Sequence, residues 1–326
     1  MSVSLEQSGD VWFPDGNIIL LSVEKIAFRV FKGFLAQHSP VFRDMFAIAQ
    51  LDKATAFDEC PVLLLSDSAF NLSPLLRLLT GVHDFLQTEK SLQFSGLASV
   101  ILLSHKYQME RIRDRALQLL EDIMAVEPPQ DQDVKEYLAF SSLSIMPEDA
   151  FAIVNLASLT GRNSLLPMAF YMCCFLSPVT LIHGFIRSGF LCKLQPGDVV
   201  RCFSGKSQLA NACAISFLKI YDYNLDMQAV CSTPSKCRPS FHGHIRKITK
   251  YSPKEITSCN ALSAWAACDI HEDICDQCSL TLSDRVKATH SEVEEFTQIF
   301  RARHQMADSK GSMTNIKGFA CPKFVF

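Results

Sequence analysis

Residues 28–46 read Phe-Arg-Val-Phe-Lys-Gly-Phe-Leu-Ala-Gln-His-Ser-Pro-Val-Phe-Arg-Asp-Met-Phe, and this stretch restricts the fold more than any other. Phe28 and Val30 alternate as in a half-buried strand. Gly33 breaks the run, and Phe34, Leu35 and Ala36 form a short apolar patch after it. Ser39-Pro40 then makes a sound helix start. A serine side chain can satisfy free backbone N–H groups, and proline at the first helical position gives up no hydrogen bond. Val41, Phe42, Met45 and Phe46 share one stripe, so the spacing predicts a helix over 40–48. Nothing in the stretch supplies reactive chemistry; its residues build a core and a partner surface.

Around it, 11–31 reads as two strands about a turn at Pro14-Asp15-Gly16-Asn17, with residues 1–9 loose. A buried strand follows over 61–65, and Ser73-Pro74 opens a helix that Gly81 ends. Residues 95–124 read as two helices broken near 107–110, with Ile112, Ala116, Leu119, Leu120 and Ile123 on one face. Glu127 to Asp133, with two prolines, reads as a linker. Beyond it the pattern is helical, near 134–141, 147–158, 164–176, 178–187, 196–203 and 206–220. Residues 231–253 look irregular, and a last helix is expected near 281–305.

The order of these pieces resembles the BTB/POZ domain. Its central run, Lys-x-x-Leu-Ala-x-x-Ser-x-x-Phe-x-x-Met-Phe, is matched by Lys32, Leu35, Ala36, Ser39, Phe42, Met45 and Phe46, following a strand that holds Phe28. Phe13 to Leu20 and Cys60 to Ser68 resemble flanking strands of fungal members, and the whole chain is similar to the expanded basidiomycete (mushroom-type) BTB family. Where many BTB domains carry a His before the Lys, Phe31 stands here, so the charged pocket of animal families is not carried over. The resemblance implies an α+β fold: a BTB/POZ domain over 10–125 with a short mixed sheet flanked by helices, then a linker at 126–133, a helical region at 134–230, a Cys-containing segment and final helix at 231–305, and a tail at 306–326. It implies a non-enzymatic adaptor or scaffold. Protein partners would meet Phe42, Asp44, Met45 and Phe46, and homodimerisation runs through the first helix and adjoining strands. A cullin scaffold of a ubiquitin ligase is one candidate partner. A nuclear, transcriptional module or a plain homodimeric scaffold is the alternative.

Composition limits the other classes. The chain has 326 residues, is 48% hydrophobic and 20% charged, and carries a net charge of −3. Nucleic-acid partners are not expected, because backbone binding needs clustered cations. Met1 to Gln7 lacks a basic-then-apolar signal pattern, and no apolar run reaches the ~18 residues of a membrane span. The odd count of 13 cysteines points to a reduced, intracellular protein, cytoplasmic or nuclear.

Cys275-x-x-Cys278 is the sharpest chemical motif, since a two-residue spacer lets both thiolates reach one tetrahedral ion. Cys231 and Cys237 form a second candidate pair; Cys259, Cys268 and His271 are further candidates, and Trp265 precedes the motif as in related fungal chains. Zinc, free thiols at a helix start and a redox pair are the open alternatives. Ser204-Gly205-Lys206-Ser207 lacks the upstream Gly of a phosphate loop and reads as a turn between helices. His38 and His105 read as turn or surface histidines, Glu294 and Glu295 as a solvated helix face, and the basic residues Arg238, His242, His244, Arg246, Lys247 and Lys250 as a solvated loop.

Overall fold

The structure, a computed structural model, describes residues 6–48, 56–57, 60–81, 93–125, 143–187, 190–251, 270 and 273–289. The fold is α+β: a small mixed sheet with flanking helices at the N-terminal end and a mostly helical C-terminal region. The chain divides into two compact units, Met1–Ala125 with Phe140–Ile145, and Val126–Ala139 with Met146–Phe326.

In the first unit, β1 (Glu6–Trp12), β2 (Ile18–Leu21), β3 (Ile26–Val30), β4 (Ala56–Phe57) and β5 (Cys60–Leu64) form one sheet in the order β1-β3-β2-β5-β4. The β2 and β3 strands make an antiparallel hairpin with Ile18 opposite Val30 and Leu21 opposite Ala27; β5 runs parallel to β2. All four β2 residues, Ile-Ile-Leu-Leu, are buried, as a central strand covered on both faces requires. The expected loose N-terminus is corrected from Glu6 onward: β1 pairs in parallel with β3, and its Glu6 N–H bonds the Lys25 carbonyl.

Among the described residues, five helices flank this sheet: α1 (Lys32–His38), α2 (Pro40–Ile48), α3 (Ala69–Leu79), α4 (Phe94–Lys106) and α5 (Glu110–Ala125). The short helix α1 is not evident from its sequence, because Gly33 reads as a breaker; the Asn17 side chain accepts the Lys32 N–H at 2.8 Å and anchors the helix start. The α3 helix begins earlier than Ser73-Pro74 suggests. Ser68 caps it through the Asn71 N–H, and Pro74 sits inside. Ser39 caps α2 as its position implies, accepting the Phe42 N–H at 3.0 Å, and also donates to the Tyr107 carbonyl at 2.6 Å. The phenyl ring of Phe42 stacks on Tyr107 at 4.3 Å, and the Tyr107 hydroxyl donates to Asp67, which also takes Lys106 at 2.6 Å. One chain of contacts thus fastens the start of α2, the end of α4 and the loop after β5.

The second unit holds α6 (Ala150–Thr160), α7 (Leu166–Cys173), α8 (Pro178–His183), a hairpin of β6 (Phe185–Arg187) and β7 (Phe190–Cys192), α9 (Pro196–Tyr221), α10 (Leu225–Val230), α11 (Pro234–Tyr251) and α12 (276–289). The residues of α6 and α7 are apolar nearly all round and form its interior. Three expectations are corrected here. Residues 178–187 are not one helix, because Gly184 at φ +77° turns the chain into the hairpin. Residues 196–220 do not break: α9 is continuous, its Gly205 is buried inside the helix, and Lys206 donates to the Cys174 and Leu176 carbonyls at 2.7 and 3.0 Å beyond the end of α7. Residues 231–253 are not irregular, since α11 fills most of them. The expected linker at 127–133, the helix near 134–141, the end of the last helix beyond 289 and the tail lie outside the described residues. No helix among the described residues is long and apolar enough to cross a membrane.

Candidate metal centre

Three helix ends converge in the second unit. Cys231 follows the last residue of α10, Cys237 lies in the first turn of α11, Cys275 immediately precedes α12, and Cys278 lies in the first turn of α12. The α11 helix forms because Cys237, Phe241, Ile245 and Ile248 recur at helical spacing, and Cys237 and Phe241 are fully buried. On α12, Cys278 and Leu282 are fully buried one turn apart, and Thr289 continues that face. The Cys275 N–H points at the Cys237 sulfur at 3.3 Å, and the Ser240 hydroxyl bonds the Asp273 carbonyl at 3.1 Å, so the two helix starts are stitched together.

The sulfurs of Cys231, Cys237, Cys275 and Cys278 all lie within 4.8 Å of one another, with Cys231 and Cys275 at 4.0 Å. All four are free thiols. A tetrahedral ion with ~2.3 Å metal–sulfur bonds places its ligands about 3.8 Å apart. The cluster can therefore hold a metal ion after small side-chain adjustments. It unites the two cysteine pairs that the sequence singles out, whereas Cys259, Cys268, His271 and Trp265 lie outside the described residues.

The electrostatics around the sulfurs are uneven. Cys275 stands at the N-cap of α12. A hydrogen bond from the Ser232 hydroxyl, together with the backbone N–H groups of Cys278 and Ser232, holds its thiol down to about 5, against the opposing effect of burial. Cys278 is pushed above the ordinary thiol value, first by burial and then by the neighbouring Cys231 and Cys275. Such a set loses its protons together most readily when a cation shares the sulfurs.

Two residues with no motif to announce them complete the surroundings. Tyr223 is 8% exposed, its ring 5.6 Å from that of Phe241. Its hydroxyl is enclosed without a hydrogen bond of regular geometry. It faces the cluster: the Cys231 sulfur as acceptor, then burial, then the charges of Cys231, Cys278 and Cys237 raise its pKa well above the phenol value. Arg285 of α12 donates to the Asp222 carbonyl at 2.6 Å and the Asn224 side chain at 2.9 Å, with longer contacts to the Lys219 and Ile220 carbonyls. Asn224 in turn caps α10 through the Met227 N–H at 3.1 Å.

The residues proposed to meet partners divide. Phe42 is corrected: at 1% exposure it belongs to the core of the first unit, held by Tyr107 and Phe46. Asp44 is exposed, and Met45 and Phe46 are half-buried. Of the central run, Phe28, Leu35 and Ser39 are buried, while Lys32 and Ala36 are half-buried. An aromatic row that sequence reasoning passed over lies beside them. Phe13 and Phe31 stand 5.5 Å apart, Phe31 and Phe34 6.0 Å apart, and Phe34 is 48% exposed. His38 is exposed; His105 is half-buried and held below the ordinary imidazole pKa, first by burial and then by Arg113. The basic run lies not on a loop but on α11, with Lys236, Arg238, His242, Arg246 and Lys247 exposed. Glu294 and Glu295 lie outside the described residues.

Comparison of the chain with protein-family models, with curated proteins and with solved structures finds no match.

Proposed function

We propose that this protein is a non-catalytic adaptor or scaffold, its first unit working as a BTB/POZ-type interaction module. The observation that carries the reading is the Phe13–Phe31–Phe34 row, which leaves Phe34 half in solvent on the first helix of that unit. Aromatic side chains that project in this way are typical anchors of protein interfaces. The hairpin of β2 and β3 with β5 alongside, followed by helices, is the arrangement that the central run implies. On α2, the next helix in the chain, Asp44 is exposed and Met45 and Phe46 are half-buried, and these three are offered as further contacts. A second copy of the chain is the first partner, through α1 and the adjoining strands; a cullin-based ubiquitin ligase that receives a substrate from the second unit is the further candidate. The free thiols fit a reducing, intracellular setting, cytoplasmic or nuclear.

The test is quantitative mass spectrometry of proteins co-purified with the full chain, beside a Phe34→Glu variant and a sedimentation measurement of each. Self-association lost in the variant supports the scaffold. A cullin and ring-ligase subunits lost in the variant make the ligase adaptor the leading form. A monomer whose partners are unchanged by Phe34→Glu refutes the reading.

In the second unit the cysteine cluster takes zinc. Soft thiolates in a tetrahedral set select such an ion, and four protein ligands leave no open position for a substrate, so its role is structural. Metal analysis of the purified full chain should find one zinc per chain. A chain purified under reducing conditions without metal, and unable to take up zinc, would exclude it.

A further inference from the structure

We propose that Tyr223 is an outer hydrogen-bond donor of the metal centre, its hydroxyl directed at the Cys231 sulfur. The proposal rests on the zinc reading above and extends it to a residue that is not a ligand.

The argument begins with a defect. Tyr223 is 8% exposed and its hydroxyl has no regular hydrogen bond. A buried donor left unpaired is unfavourable, and phenylalanine would fill the same space without that penalty. The defect has a natural remedy in the adjoining thiols. A neutral thiol is a weak acceptor, whereas a sulfur that gives up its proton to a metal becomes an anionic one, and hydrogen bonds to charged acceptors are the stronger kind. Loading the cluster therefore turns the Cys231 sulfur into the strong acceptor that this hydroxyl lacks.

The surrounding structure aims the ring. Phe241, on the same helix as Cys237, packs against it. Arg285 binds Asp222 and Asn224, the residues on either side of Tyr223, and belongs to α12, whose first turn carries Cys278. Asn224 also starts α10, and that helix leads the chain to Cys231. Tyr223 thus precedes α10 and Cys231 follows it, the one held through Arg285 and the other beside Cys275 at 4.0 Å. Outer donors of this type tune ligand basicity and orientation, and their removal typically weakens metal affinity 10- to 100-fold.

The experiment compares the full chain and Tyr223→Phe, each stripped of metal under reducing conditions and titrated with cobalt(II) and with zinc against a chromophoric chelator. Wild type should show the thiolate-to-cobalt bands of a four-sulfur site. Tyr223→Phe should retain that ligand number, bind both metals roughly 10-fold more weakly, and shift the charge-transfer band. The metal-free variant should melt no lower than metal-free wild type, which separates loss of a donor from loss of fold. Replacing tyrosine by fluorotyrosine, a stronger donor, should move the band in the opposite direction. Equal affinity and an unmoved band in Tyr223→Phe overturn the proposal while leaving zinc in place. Absence of thiolate-to-cobalt bands in wild type overturns the zinc reading, and this proposal with it.

Discussion

Phe42 offers a sharp contrast between a core residue and a partner contact. Its side chain is 1% exposed, stacked on Tyr107 at 4.3 Å and on Phe46 at 5.8 Å, and its N–H is held by Ser39. Phe42→Ala should cost about 3–5 kcal/mol, the range for removing a fully buried ring whose cavity cannot collapse. Of that, roughly 0.5–1.5 kcal/mol belongs to the stack on Tyr107 and should reappear as the coupling in a Phe42→Ala/Tyr107→Leu cycle. Phe42→Leu, which conserves most of the volume, should cost less than about half as much. The assay is urea unfolding of the full chain, with the transition of the first unit followed separately from that of the second. In thermal melts the same transition should fall by about 10–20 °C. An unchanged midpoint in Phe42→Ala, accompanied by loss of a partner, would refute the placement of this ring in the core.

Gly184→Ala should destabilise the second unit by about 2 kcal/mol or more, because φ is +77° and an added Cβ would meet the Cys192 carbonyl oxygen at 2.2 Å. Gly161→Ala, at φ +72° in open space, should cost clearly less in the same denaturation assay; equal costs would refute the close approach. In the metal-free chain, Cys275 should be the first thiol alkylated at mildly acidic pH, with a midpoint near 5 by mass-mapped labelling. The sign follows from a lowered folded-state pKa: the associated stability is full above the ordinary thiol value and disappears as pH falls through about 5, so a midpoint near an ordinary thiol would exclude the Ser232 and helix-end contacts. Arg285→Met should cost about 1–2 kcal/mol and speed proteolysis beside Asp222, where its guanidinium meets the backbone; an unchanged cleavage rate would argue against the latch.

What could be read in the sequence was mostly local. The Ser39 cap, the apolar β2 strand and the Cys275-x-x-Cys278 pair each depend on residues a few positions apart, and each takes the expected local form. The α11 helix was obscured by Pro239, Gly243 and its dense positive charge, although Cys237, Phe241, Ile245 and Ile248 carried a helical period beneath them. Phe42 shows a different limit. An apolar stripe states that one face is covered but not by what, and Tyr107 is far away in the chain. Tyr223 and Arg285 were invisible for the same reason: their roles depend on groups brought close only by the tertiary fold.

The cysteines come two and two, and Cys237 and Cys275 are 38 positions apart. An ion shared by both pairs closes a ring of polypeptide, and by the chain-entropy argument used for cross-links a ring of this size restricts the unfolded chain by about 4 kcal/mol. That quantity depends only logarithmically on ring size, so doubling the intervening length changes it by only ≈ 0.6 kcal/mol. By this entropy argument alone, added length between α11 and Cys275 costs little, and the four sulfurs around one ion would still hold the two ends at a fixed separation.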